Sequence, residues 1–365
     1  MPTEKKSQTR NTKPKTTSKR NTGSLNGSVK VEDAIEAVAL AHKGAQRQVA
    51  PVAEKPSRWL NPTQLEWPAF VMSFPFSYDT AVPNNPWMTD LKEDERQPDY
   101  QSAAVQFLQL YKYISAEALV YIVPGDARLG LQDLVYTANL GIVLEHVPGD
   151  ENTVIVSNYT SAPRRGETEV GVKFFESMGY KVAVPPTKFE GEAELKHLHD
   201  NIYVGGYGIR SEKETYDWME RNYDMRVIKV GMSDPYLYHL DGLIFPITSQ
   251  DTLVCTKMFT RKEVSALEKV TNIISVTPDE SYSGICNCVR LPHVVLNSTY
   301  ILDLKSGTKE YREELQKNRR LEDIAGDLAL EVAYFNLSEF YKSGALLSCM
   351  VMHLNRQSYR IALTS

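Results

Sequence analysis

The stretch TVIVSNYTSAPRRGETEVGVKFFESMGYKVAV, residues 153–184, contains a complete strand–loop–helix–strand unit. Its first residues, 153–157, are mostly β-branched, which favours a strand. Apolar residues then recur at helical spacing from Glu167 to Gly179, and a glycine is typical of a helix end. Residues 181–184 return to a Val-rich pattern. The stretch therefore predicts two strands joined by a helix.

Units of the same kind recur on both sides of this stretch. Strands that alternate with helices in many short units indicate the α/β class, and their similar lengths suggest modules around a pseudo-axis. The further predicted helices are 100–115, 212–222, 261–269 and 311–321. The further predicted strands are 70–74, 118–123, 135–144 (as a pair), 202–205, 226–230, 241–246, 252–255, 272–276, 294–296, 329–334 and 348–354.

The glycine pattern argues against a nucleotide-binding sheet. The cluster GGYG at residues 205–208 lacks the G-x-G-x-x-G spacing, and it does not open a helix after a first strand. The predicted strands are also short and widely separated by loops. We therefore set a Rossmann fold aside.

The composition excludes several classes of function. Of the 365 residues, 42% are hydrophobic, which is enough to bury a sizeable core. The formal net charge of −5 gives no overall field that would attract nucleic acid, and no apolar run is long enough to span a membrane. Four cysteines are too few for a disulfide framework in a chain of this length, so we expect a reducing, cytoplasmic location. We expect neither nucleic acid nor a membrane as a partner, and a homo-oligomer is left open.

The beginning of the chain differs from the rest. Residues 1–30 carry eight Lys or Arg residues, one Glu and almost no apolar side chains, which predicts a disordered basic tail. Residues 31–68 combine a short amphipathic helix at 31–45 with a Pro-rich linker. Residues 69–365 are predicted to form one domain.

Polar segments lie between the predicted elements, where reactive groups usually occur. The segment LQDLVYTAN at 131–139 places Asp133 and Asn139 on either side of an apolar strand. The segment FEGEAEL at 189–195 holds three acids within five residues, with a glycine that allows close approach.

Two later segments add an imidazole and a thiol. In YHLDG, residues 238–242, His239 and Asp241 are two positions apart, hence on one face of a strand. The segment GALLSC at 344–349 supplies Cys349, just after a turn. These groups complete a set of thiol, imidazole and carboxylates.

Such a set suits covalent attack on an electron-poor carbon. The thiolate is the nucleophile, and an imidazole can protonate a leaving amine and later deprotonate a water. Several carboxylates are needed in addition when the substrate is a guanidinium, because its five planar N–H donors are fixed by forked hydrogen bonds. The bound cation also favours the thiolate. The inventory therefore favours guanidino chemistry.

Each of these groups taken alone also fits a structural role. Cys349 can be a buried small hydrophobe, His239 a satisfied core residue, and the acidic run a solvated face. Cys286, Cys288 and Cys255 lack the spacing of a zinc site and are interpreted as core thiols. The residues alone leave catalytic and structural roles evenly balanced.

Seven segments, in this order, resemble the guanidino-group-modifying superfamily, the penteins. This superfamily includes dimethylarginine dimethylaminohydrolases, arginine deiminases and dihydrolases, and amidinotransferases. The resemblance implies an α/β fold, a five-bladed pseudo-symmetric β/α propeller, for the domain at 69–365. The segments are NNPWM at 84–88, LQDLVYTAN at 131–139, RRGE at 164–167, FEGE at 189–192, GYGIR at 206–210, YHLD at 238–241 and SGALLSC at 343–349.

The resemblance also implies a role for individual residues. It assigns Cys349 as the nucleophile, His239 as the general acid/base and Glu190 as the carboxylate that orients the histidine. The residues implied to bind substrate are Asp133 and Asp241 at the guanidinium, Asn139 beside them, and Arg165 and Arg210 at the α-carboxylate.

Several positions separate this chain from other members of the superfamily. Asn139 lies where deiminases and dimethylaminohydrolases more often carry Asp, and it is similar to the residue of the dihydrolases, which remove both terminal nitrogens of arginine. Ala193 and Glu194 replace a usual Gly-Asp pair, Gly242 stands where a Thr is common, and Ala345 replaces a glycine of the nucleophile loop. These differences bear on substrate choice and activity.

The resemblance implies a hydrolase that acts on C–N bonds of linear amidines without a metal or cofactor. The implied substrate is the guanidino group of arginine or a methylated arginine, attacked through a covalent S-alkylthiouronium on Cys349. The expected partner is therefore a small guanidino compound. Two alternatives stay open: an amidinotransferase (amidinotransferase-like chemistry through the same intermediate), or a weakened, non-catalytic binding member of the superfamily.

Overall fold

The computed structural model of the chain describes residues 61–147 and 152–360. The predictions of a basic tail at 1–30 and of a helix at 31–45 lie outside these residues. Within them, strands and helices alternate along the chain, as the sequence predicts. No helix in the described part of the chain is long and apolar enough to cross a membrane.

The strands of the described residues form five sheets of three strands each. In chain order the strands are β1 Ala69–Met72, β2 Leu119–Ile122, β3 Gly141–Leu144, β4 Thr153–Val156, β5 Lys181–Ala183, β6 Leu195–His199, β7 Ile202–Tyr207, β8 Arg226–Gly231, β9 Ile244–Pro246, β10 Asp251–Val254, β11 Asn272–Ser275, β12 Val289–Arg290, β13 Val294–Ser298, β14 Glu331–Phe335 and β15 Met352–His353.

The helices follow the same repetition. A parallel pair of strands needs a crossover connection, and each sheet has one helix of seven or more residues in that place. In chain order the α-helices are α1 Pro86–Asp90, α2 Glu93–Arg96, α3 Tyr100–Glu117, α4 Glu167–Ser177, α5 Lys213–Tyr223, α6 Arg261–Leu267, α7 Pro278–Tyr282, α8 Lys309–Asp327 and α9 Ser338–Tyr341. The crossover helices are α3, α4, α5, α6 and α8.

All five sheets have the same internal topology. The middle strand, which is β1, β4, β7, β10 or β13, pairs antiparallel with one neighbour and parallel with the other. We call the antiparallel neighbour the first strand of its sheet, so the five first strands are β15, β3, β6, β9 and β12. The sheets are therefore five copies of one unit.

One sheet joins the two ends of the described chain. Strand β15 pairs antiparallel with β1, and Phe70 lies opposite His353. The side-chain oxygen of Asn355 accepts a hydrogen bond of 3.2 Å from the backbone N–H of Ala69, and the Thr63 hydroxyl donates to the carbonyl of Leu354 at 2.7 Å. These bonds satisfy buried backbone groups where the two ends meet.

The crossover helices pack on the sheets through one apolar face. Helix α3 begins after Asp99, whose carboxylate accepts a hydrogen bond from the backbone N–H of Ser102. The helix buries four residues at helical spacing: Ala103, Phe107, Leu110 and Ile114. Burial of a large apolar side chain is worth about 1.5–3 kcal/mol, so this face accounts for much of the helix's stability.

Three predicted strands begin later than the sequence indicates. Strands β3, β9 and β15 are each preceded by a short 3₁₀ turn, at Thr137–Asn139, Leu240–Gly242 and Ser348–Met350 respectively. The predictions that Asp133 and Asn139 flank a strand, and that His239 and Asp241 share a strand face, are therefore wrong.

Burial explains the error. The apolar residues around Asp133 and Asn139 are buried on all sides, and a short apolar run does not distinguish a strand from a buried turn. The turn is held by tertiary bonds, because the Thr137 hydroxyl lies 2.8 Å from the carbonyl oxygen of Val71 and 2.9 Å from that of Met350.

Some elements were not predicted at all. Strand β6 carries Lys196, His197 and His199, which conceal its β pattern, and β12 has only two residues. The short helices α7 and α9 also escape notice, because four or five residues give no clear periodicity.

Candidate active site

Four of the first strands are preceded by a 3₁₀ turn that either carries a predicted site residue or directly follows one. The turns before β3, β9 and β15 carry Asn139, Asp241 and Cys349, and His239 immediately precedes its turn. The fourth turn, Gly191–Ala193 before β6, begins directly after Glu190. Equivalent turns of different sheets therefore supply the candidate site.

Close packing of these turns explains one glycine. Gly191 has φ of +65°, and a Cβ at this position would lie 2.6 Å from the carbonyl oxygen of Ala138. Both the conformation and the contact require glycine. The absence of a side chain brings the turn of Glu190 against the turn of Asn139.

Cys349 lies in a buried, polar environment. Its sulfur is 3.5 Å from Oδ2 of Asp241 and 3.8 Å from Nδ2 of Asn287. Burial, together with the negative charge of Asp241, raises the pKa of the Cys349 thiol to about 12. In the free protein at neutral pH the group is therefore a thiol, and a cation beside Asp241 would favour the thiolate.

His239 and Glu190 form a buried pair. Nε2 of His239 lies 2.8 Å from Oε2 of Glu190. The protonated Nε2 therefore donates to the carboxylate, and Nδ1 of the neutral ring is unprotonated and can accept a proton. Nδ2 of Asn139 is 3.4 Å from either ring nitrogen. The carboxylate therefore fixes the orientation of the imidazole.

The protonation states of this pair follow from burial and charge. Burial alone would raise the pKa of Glu190, but the Arg210 guanidinium and the hydrogen bond from His239 outweigh it and lower that pKa to about 2. Burial lowers the pKa of His239, against the opposing effect of Glu190. The pair is thus a carboxylate with a neutral imidazole at neutral pH.

Asp133 and Arg210 line a small cavity that Cys349 and His239 also line. Oδ2 of Asp133 accepts a hydrogen bond of 2.6 Å from the Asn84 amide, and burial raises the pKa of this carboxyl. Nη2 of Arg210 donates to the Asn84 carbonyl at 2.7 Å, and its guanidinium stacks 4.8 Å above the ring of Tyr238. Asn84 therefore links the two groups.

The two arginines of the RRGE segment have different surroundings. Arg164 is buried, lines the cavity and makes a forked pair with Glu167, with N···O distances of 3.0 and 2.7 Å. Arg165, the residue that the resemblance selects, is exposed, and its Nη2 lies 3.4 Å from the carbonyl oxygen of Thr160. The structure therefore brings Arg164, and not Arg165, to the cavity wall.

Two small cavities meet at the candidate nucleophile. One, of about 50 Å³, has an aromatic rim and reaches Asp241. The other, of about 20 Å³, contains Asp133, Asn139 and Arg210. Cys349, His239 and Tyr238 line both cavities. The aromatic rim consists of Trp87, Tyr236, Tyr282 and Tyr341.

The structure thus unites seven of the eight predicted residues: Cys349, His239, Glu190, Asp133, Asn139, Asp241 and Arg210. Sequence reasoning did not select Asn287, Ser348 or Arg164. Ser348 donates to Oδ2 of Asp241 at 2.7 Å. Arg164 and Ser348 lie within segments that resemble the superfamily, so the sequence could have indicated them. Asn287 lies outside all seven segments, and nothing in the neighbouring sequence marks it as a site residue.

The remaining cysteines lie elsewhere. Cys255, Cys286 and Cys288 are buried among core side chains, and none forms a disulfide. Over residues 61–147 and 152–360, no group of three or more His, Cys, Asp or Glu side chains is arranged to hold a metal ion.

Comparison with known proteins identifies sequence relatives of the chain. No family model matches the sequence. The bifunctional arginine dihydrolase/ornithine cyclodeaminase AgrE of Nostoc sp. is 26% identical over 292 residues, which cover 78% of this chain and 37% of AgrE. The dimethylarginine dimethylaminohydrolase of Mycobacterium tuberculosis is 26% identical over 174 residues, 47% of this chain and 53% of that protein.

The solved structures that are similar to this chain include AgrE itself and a second arginine dihydrolase. Unliganded AgrE superposes with a TM-score of 0.67 at 25% identity, over 79% of this chain and 39% of AgrE. The resemblance to the pentein superfamily is confirmed. The substrate-bound N-terminal domain of the cyanobacterial arginine dihydrolase ArgZ gives a TM-score of 0.67 at 24% identity, and covers 79% of this chain and 98% of that domain. The chain therefore has the pentein fold, with mixed α and β content. It corresponds to less than half the length of AgrE.

Proposed function

We propose that this pentein-type chain hydrolyses the guanidino group of a small molecule, arginine or a methylated arginine. The observation that carries the proposal is the grouping of the Cys349 sulfur, the His239–Glu190 pair and Asp241 around one buried site. The names of the relatives, an arginine dihydrolase and a dimethylarginine dimethylaminohydrolase, support the same substrate class.

In the proposed reaction, the guanidinium lies against Asp133 and Asp241. Its positive charge offsets the repulsion between Asp241 and a thiolate, so the thiol can pass its proton to the neutral imidazole of His239, which then carries the proton for the leaving nitrogen. Arg210 binds the α-carboxylate, and Arg165 keeps this role as a prediction. The geometry that matters is an approach of the Cys349 sulfur to the central guanidino carbon from one face of the planar guanidinium.

Bond changes then follow in two stages. The Cys349 sulfur attacks the guanidino carbon, and a terminal nitrogen leaves as ammonia or a methylated amine with a proton delivered by His239. The resulting S-alkylthiouronium is attacked by water, from which His239 takes a proton, and the C–S bond breaks to release a ureido product and the thiol. His239 therefore acts first as acid and then as base, with Glu190 holding the ring.

The architecture is part of the proposal. We infer that the five sheets are the five blades of a pseudo-symmetric propeller and that residues 69–365 form one catalytic domain. The identical strand topology of the five sheets and the pairing of β15 with β1 support this reading. A cytoplasmic location stays a prediction from the cysteine count.

The function is tested directly with the purified full-length chain. Arginine, monomethylarginine, dimethylarginine and related guanidines are supplied singly, and ammonia, citrulline and ornithine are measured by mass spectrometry. Release of ammonia, methylamine or dimethylamine without an added amine supports hydrolysis. Product formation only when an amine acceptor is present would instead establish a transferase, and silence with every compound would leave a binding protein.

Asn139 should decide how many nitrogens are released. With Asn139 the neutral amide can hold a ureido intermediate for a second attack, and Asn139→Asp places a carboxylate at that position. We expect Asn139→Asp to shift the main product from ornithine to citrulline by about tenfold or more, because one displaced hydrogen bond to a charged group is worth about 1.5–3 kcal/mol. The product ratio on arginine measures this effect.

A matched variant makes that result specific. Asn318 is also buried and hydrogen-bonds through its amide to Thr299 at 2.9 Å, outside both cavities. Asn318→Asp should leave the citrulline-to-ornithine ratio unchanged. An unaltered ratio in Asn139→Asp as well would show that this residue does not control the second step.

A further inference from the structure

The repetition of the five sheets directs attention to the turn before β12, the one first strand whose turn has not yet been assigned a site residue. Four first strands are preceded by 3₁₀ turns, of which three carry Asn139, Asp241 and Cys349 and the fourth begins directly after Glu190. The remaining first strand, β12, is preceded by the turn that contains Asn287, two residues before the strand. Asn139 likewise lies two residues before β3. Asn287 thus takes the position before its strand that Asn139 takes before β3, while Asp241 and Cys349 lie three residues before β9 and β15.

We propose that Asn287 is a catalytic residue, whose side-chain amide donates to the Cys349 sulfur and at the same time fixes the turn that carries it. Nδ2 lies 3.8 Å from the sulfur, and Oδ1 accepts a hydrogen bond of 2.7 Å from the backbone N–H of Ser348. This inference rests on Cys349 being the nucleophile, and it deepens the proposed function.

The orientation of the Asn287 amide is determined by its neighbours. The two ends of an asparagine amide differ, since one accepts and the other donates hydrogen bonds. The Ser348 backbone N–H can only donate, so the Asn287 oxygen must face it. The NH₂ group is then left facing the Cys349 sulfur, where a donor favours the thiolate over the thiol.

A buried network holds the Asn287 turn in place. The amide of Asn297 donates to the carbonyl oxygens of Gly284 and Asn287, at 2.9 and 3.2 Å. The oxygen of Asn297 accepts from Nζ of Lys317 at 3.1 Å, and Lys317 is only 1% exposed and paired with Glu314. The Asn287 amide therefore projects from a rigid base, as a preorganised donor requires.

Asn287 and Asp241 act on the sulfur in opposite senses. Asp241 lies 3.5 Å from the sulfur and accepts from the Ser348 hydroxyl, and its charge disfavours the thiolate. Once a guanidinium neutralises Asp241, the Asn287 donor is left to stabilise sulfur charge during attack and during release of the product. The two residues hold Ser348 and Cys349 from two sides.

The test is the pH dependence of Cys349 alkylation, which needs no substrate. Iodoacetamide is applied to the full-length chain from about pH 6 to about pH 10, and modification of the Cys349 peptide is followed by mass spectrometry. The carboxylate of Asn287→Asp still accepts the Ser348 N–H but no longer donates to sulfur. We expect about tenfold slower alkylation near pH 8 and a rate profile displaced to higher pH.

Controls separate this role from a structural one. Asn318→Asp places the same change at another buried asparagine and should keep the wild-type alkylation profile. Because Asn287→Asp also adds a negative charge beside the sulfur, Asn287→Leu, which removes donor and acceptor without adding charge, must show a displacement in the same direction, and it decides alone if Asn287→Asp does not fold. A wild-type profile in the folded variant overturns the proposal. A displaced profile in a chain that turns over no guanidine would retain the role of Asn287 and refute the proposed hydrolase.

Discussion

Cys349→Ser abolishes turnover of every guanidino substrate, and we expect a loss of at least about 10³-fold in kcat. A hydroxyl is a far weaker nucleophile than a thiolate at neutral pH, and its much higher pKa makes loss of its proton to His239 far less favourable than for the thiol. Ser is slightly smaller than Cys, and the turn Ser348–Met350 is held through the backbone N–H of Ser348. The fold should therefore persist. Ammonia release measures the turnover, and circular dichroism measures the fold.

Cys255→Ser is the matched control for this prediction. Cys255 is also a buried free thiol, and it belongs to a core cluster that does not include Cys349. This variant should retain wild-type turnover. Full activity in Cys349→Ser would refute the covalent mechanism, whereas equal losses in both variants would indicate a general effect of cysteine replacement.

The acidity of the Cys349 thiol adds a second observable to the same comparison. Because burial and Asp241 raise its pKa to about 12, the free chain should alkylate slowly near neutral pH. A bound guanidinium that is not turned over should accelerate alkylation if it leaves the sulfur accessible, since the cation offsets Asp241. The rate of Cys349 modification with and without such a ligand therefore reports on substrate-assisted ionisation.

The sequence predicted the repeated strand–helix units because each has strong local signals. Helix α3 shows clear apolar spacing and an Asp at its N-terminus, and strand β4 is a run of β-branched residues. The turns of the site could not be predicted in this way. Residues 137–139 owe their conformation to carbonyl groups of Val71 and Met350, which are distant in the chain.

The same distinction applies to the site residues. Cys349, His239 and Glu190 lie in segments that resemble a known superfamily, so they could be selected from sequence, and the structure brings them together. Asn287 lies in the segment GICNCV, which carries no such resemblance. Its position becomes meaningful only when the five sheets are compared, because equivalence between sheets is a property of the fold.

Glu190→Gln should reduce kcat by about 10²–10³-fold, in line with the cost of weakening an oriented acid–base residue. The substitution removes the charge that holds Nε2 of His239 at 2.8 Å and deprives Arg210 of the carboxylate that lies 3.4 Å away. KM should rise as well, since Arg210 is the proposed carboxylate ligand. The variant is compared with wild type through full pH profiles of kcat and kcat/KM.

The direction of the pH effect follows from the charges. Glu190 stabilises the imidazolium, so its loss lowers the pKa of His239 further below the usual range, where burial already holds it. The protonated form needed to expel ammonia is then present only at lower pH. The alkaline limb of the kcat profile should therefore move to lower pH in Glu190→Gln.

Glu192→Gln provides the matched control. Glu192 is also buried and ionised, with its pKa lowered to about 2 because its pairing with His353 outweighs burial, which alone would raise it. It lies two residues from Glu190 but lines neither cavity. This variant should lose stability in thermal unfolding while keeping the kcat profile of wild type. Displacement of the alkaline limb in both variants would mean that the pKa of His239 depends on the total buried negative charge. The pairing with Glu190 would then not have the specific role proposed for it.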